Sequence, residues 1–89
     1  MRTIYKQQLE ITDIQFIELP ENSKILHLDT QGEHSVCIWY ECDTKNPKKR
    51  VTVYCFGTGH EMPNNDNLRY IGTALILEGR GVFHYYISE

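Results

Sequence analysis

Hydrophobic alternation at a period of two, broken every eight to twelve residues by turn chemistry, limits this chain more than any other feature. Residues 35–42 read Ser-Val-Cys-Ile-Trp-Tyr-Glu-Cys, with Val36, Ile38 and Tyr40 facing one way and Cys37, Trp39 and Glu41 the other. Residues 51–56 alternate in the same manner and are β-branched or aromatic. Such runs suit a pleated, half-buried strand, and no segment sustains a helical period. Further strands are expected at residues 2–9, 14–19, 24–30, 68–77 and 82–87. In the third of these, Leu26 and Leu28 are expected on one face and Ile25, His27 and Asp29 on the other. A turn through Gln31, Gly32 and Glu33 joins it to the 35–42 strand as a hairpin. The 51–56 strand is expected beside 35–42. Gly72, inside a strand, implies a bulge or a close backbone approach. Pro20 closes the second strand.

The sum predicts a mainly β fold: a small antiparallel β-sandwich or open barrel of about seven short strands. At most one short helix or 3₁₀ turn is expected, near 13–18 or 61–67. Eighty-nine residues make one domain, 1–89, with a thin core. Net charge is −3, so the basic footprint of a nucleic-acid binder is missing. Four of the nine basic residues fall in residues 43–50, expected as an exposed loop able to touch a phosphate or an acidic protein face. Three cysteines without a paired spacing argue against a disulfide scaffold and fit a reducing cytoplasm. No secretory signal pattern and no apolar run of spanning length is present, so a cytoplasmic protein off the membrane is expected.

One stretch, Phe-Gly-Thr-Gly-His-Glu-Met-Pro at residues 56–63, is hard to explain as plain core or plain surface. With the asparagine-rich residues after it, it forms a connection of about eleven residues, a length that often carries function. Gly57, Thr58 and Gly59 can expose consecutive N–H groups as an anion-binding nest. No phosphate-binding lysine follows, and no dinucleotide or other cofactor fingerprint is present. His60 could serve as a general base with His84 or Asp66, yet no activated nucleophile accompanies it. Metal ligation has no support either, because the histidines and cysteines are scattered without ligand spacing. Adjacent Tyr85 and Tyr86 must face opposite sides of their strand, which leaves at least one for an interface unless both faces are covered.

The chain resembles a family of small uncharacterised proteins from bacteriophages and prophages. The likeness is carried by Thr3-Ile4-Tyr5-Lys6, Ile17-Glu18-Leu19-Pro20 and Lys24-Ile25-Leu26. It continues through the Phe56–His60 loop with Pro63, Tyr70-Ile71-Gly72-Thr73 and Val82-Phe83-His84. Departures are the asparagine-rich 61–67 loop and the charged turn Glu78-Gly79-Arg80-Gly81. The family carries no assigned activity, so no catalytic residue transfers. The resemblance implies a phage setting.

These observations favour a non-enzymatic accessory protein that binds a host protein, in the most concrete form an inhibitor of anti-phage defence such as an anti-CRISPR. The binding residues expected are Gly57, Thr58, Gly59, His60, Glu61, Tyr85 and Tyr86, with a homodimer as a further use of exposed tyrosines. Two alternatives stay open: a small anionic ligand or nucleotide on the Gly57–Gly59 loop, and a small hydrolase or transferase using His60.

Overall fold

The computed structural model describes residues 1–32, 34–64 and 67–88. It contains seven strands: β1 (Arg2–Leu9), β2 (Ile14–Pro20), β3 (Lys24–Thr30), β4 (Val36–Asp43), β5 (Lys48–Gly57), β6 (Arg69–Ile76) and β7 (Gly81–Ser88). One 3₁₀ turn, Leu77–Gly79, joins β6 to β7, and the expected helical sites are not helical among the described residues. The strands form two antiparallel sheets, ordered β1-β4-β3 and β2-β5-β7-β6. They do not close into a barrel, and the mainly β, seven-stranded antiparallel fold is the expected one.

Alternation builds the core between them. Val36, Ile38, Tyr40 and Cys42 of β4 face Val51, Val53 and Cys55 of β5 and Tyr85 and Ile87 of β7 in one buried cluster. Ile17 and Leu19 of β2 and Ala74 and Ile76 of β6 complete its far side. Burying each such aliphatic side chain contributes about 1.5–3 kcal/mol. All three cysteines are free and buried.

Three local expectations are corrected. β5 does not pair with β4; it pairs with β2 and β7. The 44–47 turn carries the chain from one sheet to the other, because the apolar face of β4 is best covered by a second sheet rather than extended sideways. Consequently Lys48, Lys49 and Arg50 are not loop residues but the start of β5, opposite Pro20, Leu19 and Glu18. In β3, the register shifts between Ile25 and His27. That bulge lets Ile25 and Leu28 both pack inward and turns Leu26 out to solvent.

Gly72 meets both of its predicted roles. The β6–β7 register shifts between Tyr70 and Gly72, and φ at Gly72 is 154°. A Cβ there would lie 2.7 Å from the Cβ of Leu28. Glycine thus lets the edge strand β6 close against β3 of the other sheet. The hairpin turn residue Glu33 lies outside the described residues.

Candidate functional site

The outer face of the four-stranded sheet follows directly from the register. Val51, Val53 and Cys55 point inward, so Arg50, Thr52, Tyr54 and Phe56 point out. Pairing then places Ile14, Tyr54, Tyr86 and Tyr70 in one row across all four strands. Phe16, Thr52 and Ser88 form the row on one side of it; Phe56, His84 and Thr73 form the row on the other. Phe16 and Leu75 are each 61% exposed, Tyr70 55% and Ile14 53%. The rings interlock: Phe56 and Tyr70 each meet Tyr86 edge-on, at centroid distances of 5.8 and 5.5 Å, and Tyr54 lies parallel to Phe56 at 6.5 Å. Arg50 sits over the Phe16 ring, 4.8 Å from its centroid. The face is therefore a rigid aromatic plate with few charges.

The glycine loop borders this plate and is tied to it. Thr58 Oγ1 lies 2.8 Å from His84 Nε2, and Thr73 Oγ1 lies 3.0 Å from His84 Nδ1. Tyr70 Oη in turn bonds Thr73 Oγ1. Each hydroxyl can donate or accept, so the imidazole is satisfied in either tautomer. This chain of four side chains fixes the loop on the sheet. It contains no carboxylate to orient a histidine for proton transfer, and His84 bonds Thr58 and Thr73 rather than His60.

The loop also explains its own glycines. His60 N–H donates to the Gly57 carbonyl at 3.1 Å, which folds the His60 ring back over Gly57. A Cβ at residue 57 would lie 2.8 Å from His60 Cε1, so a side chain there would push the exposed His60 ring aside. Gly59 holds φ +86°, the left-handed turn that reverses the chain. The Thr58 N–H donates to the Val82 carbonyl at 3.4 Å. Of the three expected anion donors Gly57, Thr58 and Gly59, the central one, Thr58, thus spends its N–H inside the chain.

Behind His60 the loop encloses a groove of about 370 Å³. Ile14, Tyr54, Phe56 and Cys55 line it from the sheet, His60, Glu61 and Pro63 from the loop, and Asp13 from the entry to β2. Cys55 N–H donates to the Asp13 carbonyl at 3.0 Å, which pins that entry beside the groove. Burial pushes the Cys55 thiol up, and the nearby Asp13 charge adds to the shift. A raised thiol is a poor nucleophile.

The sequence-predicted residues divide. Gly57, Thr58, Gly59, His60 and Glu61 lie along one border of the plate, and Tyr86 lies in its central row. Tyr85 does not belong with them. It is fully buried, its hydroxyl donates to the Glu10 carbonyl at 3.2 Å, and burial holds the phenol far above its ordinary value. The two-faced rule was sound, but it could not say which tyrosine goes inside. Asp66 lies outside the described residues. Sequence reasoning missed Asp13, Ile14, Phe16 and Leu75. Ile14 and Phe16 share one alternating set of 14–19 and Ile17 and Leu19 the other, so alternation alone does not say which set faces solvent.

No curated protein and no solved structure matches the chain significantly. One family model does match, over residues 1–89, and its description is a domain of unknown function. Across its whole length, from β1 to β7, the chain belongs to that family, DUF7352.

Proposed function

We propose that this protein is a non-enzymatic binding module whose working surface is the outer aromatic face of the β2-β5-β7-β6 sheet, bordered by the 57–63 loop. One observation carries the reading: Ile14, Phe16, Tyr70 and Leu75 are each more than half exposed on one continuous plate. Aromatic side chains presented rigidly are the usual anchors of protein interfaces. The accessible surface supports it. At 5998 Å² it exceeds the roughly 5,400 Å² that a folded monomer of 10.5 kDa exposes.

The partner in this reading is a host protein, and the setting is the phage one that the sequence resemblance implies. Inhibition of a defence component is its most concrete form. The enzyme alternative loses ground because both ring nitrogens of His84 are taken by threonine hydroxyls, Thr58 and Thr73, with no carboxylate hydrogen-bonded to the ring among the described residues. The anion alternative loses ground because Thr58 and His60 spend their N–H groups on backbone carbonyls.

The test is capture from host lysate with three tagged forms: the native chain, Phe16→Ser with Tyr70→Ser, and Glu41→Gln on the opposite sheet. The expected result is one protein retained by the native and Glu41→Gln forms and lost by the double variant. Equal capture by all three would remove the plate as the working surface. A native chain that elutes as a dimer, dissociated by the double variant, would replace the host partner with a second copy.

A further inference from the structure

The groove at the border of the plate differs from the plate in charge, and that difference carries an inference about the partner. We infer that the groove lined by Asp13, Tyr54, Phe56, His60 and Glu61 receives an arginine side chain of the partner protein; this rests on the binding-module reading above.

Four observations converge. First, the groove is a concavity of about 370 Å³, the size class that takes a side chain with its flanking backbone. Second, its sheet side carries two aromatic rings, Tyr54 and Phe56, which stack on each other at 6.5 Å between centroids. A planar guanidinium stacks on such faces better than a compact ammonium does. Third, its two charged lining residues are both carboxylates, Asp13 and Glu61, with no lysine or arginine among the lining residues. The acidic partners of the ion pairs among the described residues are Asp43, Glu41 and Asp29, so among those residues Asp13 and Glu61 pair with no cation. The Asp13 carbonyl accepts the Cys55 N–H at 3.0 Å, which holds this residue beside the groove. Fourth, the same face already shows the arrangement within one chain, Arg50 lying on Phe16 at 4.8 Å.

The experiment is an NMR titration of the full chain with blocked tripeptides carrying arginine, lysine, citrulline or glutamate at the centre. The arginine peptide is expected to shift the Tyr54, Phe56 and His60 resonances in the millimolar range, with the lysine peptide weaker and the other two silent. Asp13→Asn with Glu61→Gln should weaken the arginine response at least tenfold, while Glu41→Gln on the opposite sheet leaves it unchanged. Citrulline acting as well as arginine would overturn the inference, since it keeps the shape without the charge. So would silence of the arginine peptide on a folded native chain. In lysate capture, loss of the partner with Phe16→Ser/Tyr70→Ser but not with Asp13→Asn/Glu61→Gln would sink the arginine assignment alone. Retention by all variants would instead remove the underlying plate reading.

Discussion

The two sheets turn very different outer faces to solvent, although the same alternation rule produced both. On the three-stranded sheet, Arg2 reaches Glu41 at 2.8 Å, His27 reaches Asp29 at 3.4 Å, and Lys6 bonds Gln31 at 2.8 Å. Gln31 also accepts from the Cys37 thiol at 3.9 Å and helps keep that side chain buried. Trp39 on that face lies beside His27 rather than joining an aromatic plate. On the four-stranded sheet, the corresponding positions hold Ile14, Phe16, Tyr54, Phe56, Tyr70 and Tyr86. One face answers water mainly with charged and polar groups that find partners in the chain, with Ile4 and Leu26 as isolated exposed apolar residues. The other presents apolar area that only another surface can cover. In a thin sandwich, 16 Å across its shortest extent, both faces are equally available to solvent, so the difference is one of composition and not of shelter.

The comparison holds only while both sheets stay locked, and the largest predicted effect breaks the lock. Gly72→Ala places a methyl group 2.7 Å from the Leu28 Cβ and demands a φ that L-residues avoid. The expected loss is about 3 kcal/mol, measured by urea unfolding. Fluorescence of Trp39, on the other sheet, should report the same transition as circular dichroism. A loss under 1 kcal/mol would mean that β6 is not held tightly against β3.

Gly72 also shows how far a sequence alone can be read. A glycine inside a strand carries its own signature, so the bulge was foreseeable. Its partner Leu28 was not, because inter-sheet contacts leave no local trace. The seven strands were legible from alternation, but the pairing of β5 was not: β4 and β5 are each apolar enough to sit side by side. The loop was legible as unusual through Gly57, Gly59 and His60. The plate beside it was not, because Phe16 and Tyr54 read as ordinary strand residues until the register shows that they share a face. Tyr85 and Tyr86 state the limit most sharply. Parity separates them, yet only the three-dimensional position of β7 assigns Tyr85 to the core.

That assignment gives the next effect. Tyr85→Phe removes the bond to the Glu10 carbonyl and should cost about 1 kcal/mol at neutral pH. The pH dependence sharpens the inside–outside contrast. Burial raises the Tyr85 phenol in the folded state, and Tyr40 is raised for the same reason. A raised acid favours its protonated form when folded. Its stabilisation is therefore complete below the ordinary phenol value of about 10 and is lost as pH climbs above it. Asp29 on the outer face of the other sheet behaves in the opposite sense. The Thr30 N–H and then His27 lower its carboxyl, so its contribution is present above the ordinary carboxyl range and fades as pH falls. Unfolding midpoints measured from pH 9 to 11 should fall for the native chain and fall less steeply for Tyr85→Phe. Equal slopes would mean that Tyr85 is not the buried phenol.

The smallest effect tests the solvated face itself. Glu41→Gln breaks the pair with Arg2, whose side chain is 73% exposed while that of Glu41 is 35% exposed. Exposed pairs are screened and must hold two side chains in place, so the change should stay within about 0.5 kcal/mol. Phe16→Ser on the plate forfeits the stacked Arg50 and should cost about 1 kcal/mol at most, since the ring is already mostly in water. Stability therefore hardly distinguishes the two substitutions, and solubility and partner capture should do so. Phe16→Ser is expected to raise the concentration at which the chain stays dispersed and to weaken capture, whereas Glu41→Gln changes neither. If Glu41→Gln impaired capture as strongly as Phe16→Ser, the charged face would be a contact surface too, and the division between the two sheets would fail.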